Sequence, residues 1–292
     1  MNSKLTAYWM ISPVVLATLL FVAGPTYDVI MLSFSKIRMG QNLGFGTLVN
    51  FKALFLNPLF FDVMKNTAIW ILGGTCFCVI LGLTVAMFLS IDHKMMALLR
   101  GVILLPWVLP DVVTAMAWKW MLHGQVGIVG QVMVDMGLSD QPVSFLGSPD
   151  MVMWTLVAVV VWRKMPLVAL ILCAAIRSVP AEHHEAGMMD GANTFQRFRH
   201  IVLPHIAFSL TAVTVISMIW ITAEFTLPWV MSGGGPANSS HIMATFIYQQ
   251  SFEFFNWGVG SAMSVVNLIS LGFIVALYLY IVRRSWSSGG SK

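Results

Sequence analysis

The sequence predicts an all-α integral membrane protein with six transmembrane helices, and three observations lead to this fold class. Hydrophobic residues make up 58% of the 292 residues and charged residues only 10%, whereas ordinary globular domains carry about 25% charged residues. Six apolar segments are each long enough to cross the roughly 30 Å hydrocarbon core of a bilayer. No long linker or low-complexity segment divides the chain, so we expect a single transmembrane domain over residues 1–292.

The predicted spans cover residues 8–30, 67–90, 102–121, 152–176, 205–230 and 258–282. Lys4 precedes the first apolar run, which lacks a small-residue cleavage pattern, so this run is predicted to be a span rather than a signal peptide. Prolines lie within or beside several spans, and membrane helices tolerate them where neighbours satisfy the freed backbone groups. The three cysteines fall inside apolar runs, which argues against a disulfide framework.

The distribution of Lys and Arg predicts that both termini lie in the cytoplasm, because cytoplasmic flanks are enriched in these residues. With the N-terminus inside, nine lie on the inner side, namely Lys4, Lys94, Arg100, Arg177, Arg197, Arg199, Arg283, Arg284 and Lys292. Four lie on the outer side, all in the first loop: Lys36, Arg38, Lys52 and Lys65. This orientation places the loop between spans four and five in the cytoplasm.

That loop, residues 180–200, is predicted to begin with a short helix from 180 to 190. Pro180 suits the first helical turn, where its missing N–H costs nothing. Glu182 and Glu185 lie near the positive end of the helix dipole. Gly191 is predicted to end the helix, since glycine readily adopts the left-handed conformation found there.

A second helix is predicted to start at Asn193 or Thr194, either of which can cap it, and to enter the membrane through residues 201–204. The product is a cytoplasmic helix–turn–helix, which is more typical of a docking element than of an ordinary loop. His184 and Glu185 also suggest a zinc protease, but no histidine follows at the required spacing. No metal site is therefore predicted.

The residues of this loop resemble the EAA signature of binding-protein-dependent ABC importer permeases. The departures from the signature are Gly187 where alanine is usual, Phe208 where a second proline often follows, and His184 where an aromatic residue is common. In that family the loop is the coupling helix, which seats in a cleft of the ATPase subunit. The resemblance implies ATPase coupling by Glu185, Ala186, Gly187, Asp190, Gly191, Ala192, Ile201, Leu203 and Pro204.

Segments 50–70, 105–122 and 232–266 are similar to the carbohydrate-importing branch of the same family, which takes up sugars, polyols or glycerol-3-phosphate. The resemblance implies a multi-pass protein of the bacterial cytoplasmic (inner) membrane. Its implied partners are two copies of an ATP-binding subunit (a homodimer), a second homologous permease and an extracytoplasmic solute-binding protein.

No G-x-x-x-x-G-K-[ST] phosphate-binding motif occurs in the sequence. We therefore expect no enzyme activity and no cofactor in this chain, with ATP and Mg bound by the partner subunits. The basic residues are scattered rather than clustered, so nucleic acid is not an expected partner.

Charged residues inside the predicted spans are the second functional indication, since such residues usually face a bundle interior or a water-filled cavity. Arg163 lies near the middle of span four and could pair with Asp111 or Glu224, or line the translocation path. Lys119 lies near the outer end of span three, where its side chain can reach the interface. The candidate path residues are Trp162, Arg163, Thr222, Glu224, Thr226, Ser264 and Asn267.

Two other functional classes remain as alternatives. An ion- or proton-coupled secondary transporter would use Asp111, Arg163 and Glu224 as a relay. A membrane-embedded enzyme would need a histidine and a carboxylate at one depth inside the bundle, and the sequence offers no such pair. The identity of the solute, and which of two permease subunits holds it, are left open by the sequence.

Overall fold

The structure is a computed structural model that describes residues 3–38 and 41–289, and helices dominate it. The α-helices are α1 Ser3–Thr18, α2 Gly24–Ser33, α3 Val49–Phe55, α4 Pro58–Ala68, α5 Gly74–Leu89, α6 Lys94–Val102, α7 Leu105–Val108, α8 Asp111–Met121, α9 Ile128–Asp135, α10 Pro149–Arg177, α11 Ala181–Met189, α12 Thr194–Arg197, α13 Leu203–Thr222, α14 Thr226–Ser232, α15 Met243–Tyr248 and α16 Trp257–Gly289. Turns of π-helix at Leu19–Ala23, Ile69–Gly73, Phe198–Val202 and Gln249–Glu253 extend or join several of these helices.

Five helical runs in the described part of the chain are long and apolar enough to cross a membrane, or six if a bent pair forms one span. The runs are Tyr8–Ser33, Pro58–Leu89, Pro149–Arg177, Thr194–Thr222 and Trp257–Arg284, and the bent pair is Lys94–Val108 with Asp111–Met121. The all-helical membrane fold predicted from the sequence is therefore confirmed, with one addition. Strands β1 Ser35–Arg38 and β2 Gln41–Phe45 pair as an antiparallel hairpin in the first loop.

Two of the spans differ from their predicted form. The third, predicted at 102–121, bends by 89° between Val108 and Asp111, because Pro110 adopts an extended conformation with ψ of 140°. The fifth, predicted at 205–230, ends at Thr222, and α14 begins only at Thr226. The mean hydropathy of a segment is the same whether or not its helix is broken, so spans predicted from hydropathy do not reveal these two breaks.

Two compact units can be distinguished by their internal contacts. The first contains the chain up to Phe61 together with Phe246–Ser270. Its polar centre is Asn50, whose amide Nδ2 donates to the carbonyl oxygens of Ser33 (2.9 Å) and Ser35 (2.8 Å). These bonds join α3 to the end of α2 and the start of β1.

The second unit contains Asp62–Thr245 and the chain from Leu271. Helix α10 is its central element: 61% of its most apolar window is buried, and α5 and α13 pack against it. The buried Trp70 donates from Nε1 to the carbonyl oxygen of Ile221 (2.7 Å), which links the run Pro58–Leu89 to α13. The single permease domain over the whole chain stays a prediction.

Candidate functional site

The loop between α10 and α13 forms a helix–turn–helix, as its residue pattern predicts. Helix α11 begins directly after Pro180 and carries Glu182 in its first turn. Most of its surface faces outward, and Glu185, Ala186 and Asp190 are all exposed. Met189 is the most exposed large apolar side chain in this segment, at 88%. The helix therefore offers an exposed ridge of carboxylates and methionines.

The turn after α11 is fixed by backbone hydrogen bonds. Gly191 has a φ of +74°, its N–H donates to Met188 O (3.0 Å), and the N–H of Ala192 donates to Gly187 O (2.9 Å). This pair of bonds is the Schellman arrangement that satisfies the last carbonyl groups of a helix. The predicted stop at Gly191 is thus present in the structure.

The second helix starts from a capping box. Asn193 Oδ1 accepts from the N–H of Gln196 (2.9 Å), and Gln196 Oε1 accepts from the N–H of Asn193 (2.8 Å). Both bonds satisfy donors that the first turn of a helix leaves free. Asn193, one of the two residues predicted to cap this helix, is therefore the one that does so.

Gly187 is the point of closest approach between α11 and the second helix. It is buried, and a Cβ atom built on it would lie 2.7 Å from Ile201 Cδ1 and 3.4 Å from Arg197 Cγ. Contacts as short as 2.7 Å require a neighbour to move. The end of the Ile201 side chain occupies the space that a methyl group at position 187 would use, so alanine fits here only if Ile201 moves.

The base of the helix–turn–helix is apolar. Val179, Val202 and Ile206 are buried together, with Phe198 and Ile201 packed against them. A π-helical turn precedes Leu203 and Pro204, and Pro204 cannot donate a backbone hydrogen bond to that turn. The residues expected from the signature therefore form one structural element, in which Ala192, Ile201 and Leu203 are half-buried and Pro204 is exposed. Their role in docking a partner stays a prediction.

A second set of functional residues meets inside the second unit, where α10 contributes two basic side chains. Arg163 forms an ion pair with Asp111 and lies 3.7 Å (Nη1 to Oε2) from Glu224. Lys164 Nζ lies 2.8 Å from the same Glu224 oxygen. The glutamate side chain is only 4% exposed and that of Asp111 is 40% exposed. We call these four residues the charge cluster; its formal charges sum to zero.

The charge cluster lies at the two helix breaks. Asp111 opens α8 after the bend at Pro110, and Arg163 Nη2 also donates to Leu109 O (3.1 Å) in that bend. Glu224 lies in the gap between α13 and α14, where its Oε1 accepts from the N–H of Leu227 (3.4 Å). The ion pairs that the sequence offered as one of two possibilities are present, and they hold both breaks to α10.

The other predicted path residues are more dispersed. Trp162 packs edge to face on Trp118, with ring centroids 5.3 Å apart. Thr222 donates its hydroxyl to Met218 O (2.7 Å), and Thr226 is half-buried at the start of α14. Ser264 and Asn267 are half-buried residues of α16 and belong to the first compact unit.

Several polar contacts were not predicted from the sequence. Lys119 Nζ donates to Val230 O (2.9 Å) and so joins α8 to α14. Asn66 of α4 donates from Nδ2 to Ser239 O (3.0 Å) and His241 O (3.2 Å), which lie in the loop before α15. In each of these contacts the two residues are more than 100 positions apart in sequence. The only indication of the contact in the sequence is a polar side chain within an apolar run. Among the described residues, no group of three or more His, Cys, Asp or Glu is placed to hold a metal ion.

The chain matches a known protein family over most of its length. Residues 78–287 match the family described as "Binding-protein-dependent transport system inner membrane component". A probable ABC transporter permease protein of Brucella suis is 28% identical over 289 residues, with 99% of this chain and 100% of that protein covered.

Two relatives have names that state a solute. The sulfoquinovosyl glycerol transport system permease protein of Agrobacterium fabrum is 26% identical, with 97% of this chain and 92% of that protein covered. The trehalose/maltose transport system permease protein of Thermococcus litoralis is 27% identical, with coverages of 94% and 93%.

Solved structures show the same fold. A chain of a bacterial ABC transporter involved in the import of the acidic polysaccharide alginate superposes with a TM-score of 0.80 at 21% identity, covering 96% of both chains. The same TM-score and identity apply to the bacterial alginate transporter in complex with its alginate pentasaccharide-bound periplasmic protein, at coverages of 96% and 95%.

Proposed function

Because the chain belongs to the family of binding-protein-dependent transport system inner membrane components, we propose that it is the permease subunit of an ATP-driven importer. We further propose that the solute is a sugar or a related polyhydroxylated compound. The names of two relatives, for sulfoquinovosyl glycerol and for trehalose and maltose, support this solute class. The family is one of transport subunits, so chemistry on the solute is not part of this function.

The observation that carries the proposal is the exposed ridge of α11. A short helix whose outer surface is exposed, and whose inner surface packs against Ile201 at Gly187, is suited to transmit force from a partner. We propose that Glu185, Ala186 and Asp190 contact the ATPase, while Gly187, Ala192, Ile201, Leu203 and Pro204 hold the helix against the end of the membrane span.

The complete importer, in this proposal, has three further components. Two copies of an ATP-binding subunit bind ATP and Mg. A second homologous permease completes the path, and an extracytoplasmic binding protein delivers the solute. The structural likeness to a transporter solved with its periplasmic protein supports the binding protein as one of these components. The chain then lies in the bacterial inner membrane with both termini in the cytoplasm, on the side of α11.

Transport follows by alternating access. ATP binding draws the two ATPase subunits together with α11 docked on them. The spans follow because the base of the helix–turn–helix is packed on them through Val202 and Ile206. The inner side closes while the outer side opens to the binding protein. A ligand shifts such an equilibrium only by its differential affinity for the two states, and here ATP binding by the partners supplies that difference.

For the solute path we infer a division of labour. Arg163 and Glu224 are bound within the charge cluster, so we assign them to holding the helix breaks rather than to direct solute contact. Trp162, Thr222, Thr226, Ser264 and Asn267 remain the proposed path residues. The relay mechanism of an ion- or proton-coupled transporter gains no support, because the family of this chain is that of ABC importer permeases.

Co-purification and reconstitution test the proposal directly. An affinity-tagged chain expressed with its neighbouring genes should purify with an ATP-binding subunit and a second permease. In proteoliposomes, this assembly should take up a sugar only when ATP and the binding protein are supplied. Gradient-driven uptake by the lone chain without nucleotide would refute the proposal.

A further inference from the structure

A cleft of about 560 Å³ lies where the ends of α5 and α10 meet the start of α11, within the second compact unit. Three basic side chains line it: Arg177 from the end of α10, His184 from α11 and Arg197 from α12. The apolar lining residues are Met87, Ile176, Val179, Ala181, Phe198 and Val202. Ser90, Thr194 and the carboxylate of Asp92 complete the lining, so two arginines face one carboxylate. We call this the basic cleft.

Both arginines keep hydrogen-bond donors available. Arg197 Nε is buried and has no hydrogen-bond partner among the described residues. Arg177 lies 3.8 Å (Nη2 to Oδ1) from Asp92, whose side chain is fully exposed, and 3.4 Å (Nη1 to O) from Ser90. These contacts are long, and each guanidinium carries five N–H donors. The cleft therefore has donor capacity that the protein does not use.

The start of α11 adds to the positive potential. Ala181 lines the cleft, and no side chain caps the helix at Pro180. The N–H of His183 donates to Pro180 O (3.2 Å), so the N–H groups of Ala181 and Glu182 are the ones that lack the usual side-chain partner. Glu182 in this turn is exposed to solvent, where its charge is screened. A helix N-terminus and two guanidinium groups around one cavity favour a phosphate group.

The apolar walls indicate that the phosphate belongs to a lipid rather than to a free ion. The cleft opens at the ends of two predicted membrane spans, at the level where lipid headgroups lie, and its walls offer aliphatic and aromatic surface. Basic pockets between transmembrane helices bind the headgroups of anionic lipids. We propose that the basic cleft binds the phosphate of an anionic phospholipid, whose acyl chains continue along α5 and α10. A free phosphate ion would satisfy the arginines but not the apolar walls.

Such a lipid would contact α11 at Ala181 and His184. The bound lipid would contact both the membrane spans and the helix that we propose to dock the ATPase, and its release would remove this link. The site goes beyond the proposed function, and lipid binding can be measured without any transport assay, so the two can fail separately.

The test uses the intact importer in nanodiscs containing either phosphatidylglycerol or phosphatidylcholine, followed by native mass spectrometry of bound lipid. The double variant Arg177→Gln/Arg197→Gln removes both charges and keeps the Cγ atom that packs near Gly187. Arg199→Gln is the matched control, since Arg199 is an exposed cation of the same segment and does not line the cleft. The single variant Arg177→Gln serves if the double variant fails to assemble.

We expect phosphatidylglycerol retention by the wild type and by Arg199→Gln, and about 30-fold weaker affinity in the double variant, because each basic side chain contributes roughly fivefold. Arg177→Gln alone should lose about fivefold on the same basis. Excess inorganic phosphate should not displace the lipid. Equal retention of phosphatidylcholine, equal retention by the double variant, or displacement by inorganic phosphate would each overturn the proposal.

Discussion

At Gly187, helix propensity and steric crowding act in opposite directions. It occupies a helical position where alanine would add helix propensity of about 1 kcal/mol, yet a methyl group there would meet Ile201 Cδ1 at 2.7 Å. The two effects oppose each other, so the sign of the substitution depends on whether Ile201 can give way. Shortening Ile201 to valine, which removes Cδ1, separates the effect of helix propensity from that of crowding.

We therefore expect Gly187→Ala to give no gain in stability in the wild-type background, and a gain of up to about 1 kcal/mol in the Ile201→Val background. Thermal unfolding of the four proteins of this cycle in detergent measures the coupling. An identical effect of Gly187→Ala in both backgrounds would show that the two side chains do not compete for space.

The charge cluster offers a comparison between two carboxylates of different burial. Glu224→Gln leaves the buried Arg163 and the half-buried Lys164 with reduced compensation, and breaking a buried pair costs about 3–5 kcal/mol. Asp111→Asn changes a side chain that is 40% exposed, so water compensates part of the lost interaction with Arg163 and the cost should be smaller. Denaturation of both variants should rank Glu224→Gln as clearly the more damaging, and the reverse ranking would contradict the geometry described here.

His241 predicts a pH dependence at a loop residue. Its side chain is 1% exposed, Nδ1 lies 3.1 Å from Thr245 Oγ1, and burial lowers its pKa below the usual 6.5. The unfolded chain therefore binds a proton at a higher pH than the folded one, and stability should fall as the pH drops below 6.5. Melting temperatures from pH 8 to pH 5 should fall more steeply for the wild type than for His241→Gln. Parallel curves would exclude this residue as a source of acid sensitivity.

At the scale of elements, the turn after α11 rests on the left-handed conformation of Gly191. Nothing lies within 4 Å of a Cβ atom built there, so a substitution acts only through the backbone. Alanine should cost about 1–2 kcal/mol, whereas asparagine, which adopts this conformation more readily, should cost less. Hydrogen exchange at Ala192, whose N–H is held by Gly187 O, reports the opening of the turn. Equal protection in Gly191→Ala and Gly191→Asn would show that φ is not limiting.

The elements also show where sequence reasoning succeeded and where it stopped. Apolar runs of sufficient length located the spans, and the Pro180, Gly191 and Asn193 signals located the helix–turn–helix, because these depend on residues close together in the chain. The breaks at Pro110 and Glu224 were missed because the spans were predicted from apolar length, and their contacts with Arg163 were missed because that residue is more than 50 positions away from either. The pairing of Lys119 with Val230 O was missed for the same reason.

At the scale of the whole molecule, the proposed function predicts that docking and membrane insertion can be separated. Asp190→Lys reverses the charge on the exposed ridge without touching the packing of Gly187. We expect normal membrane abundance, strongly reduced solute uptake and loss of solute-stimulated ATP hydrolysis. Arg199→Gln serves as a control for a charge change in the same segment. Normal uptake by Asp190→Lys at equal abundance would contradict the assignment of this ridge.

The contrast between two spans has a consequence for how this sequence can change. In the run Tyr8–Ser33 no part of the apolar window is buried by the chain itself, whereas in α10 61% is buried. Lipid tails are as apolar as leucine, so the first span needs only length and apolar character from most of its positions. Its residues are free to exchange among Leu, Ile, Val and Phe, while those of α10 are tied to the shapes of their neighbours. Mutational tolerance should therefore be higher in the run Tyr8–Ser33 than in the helix that carries Arg163.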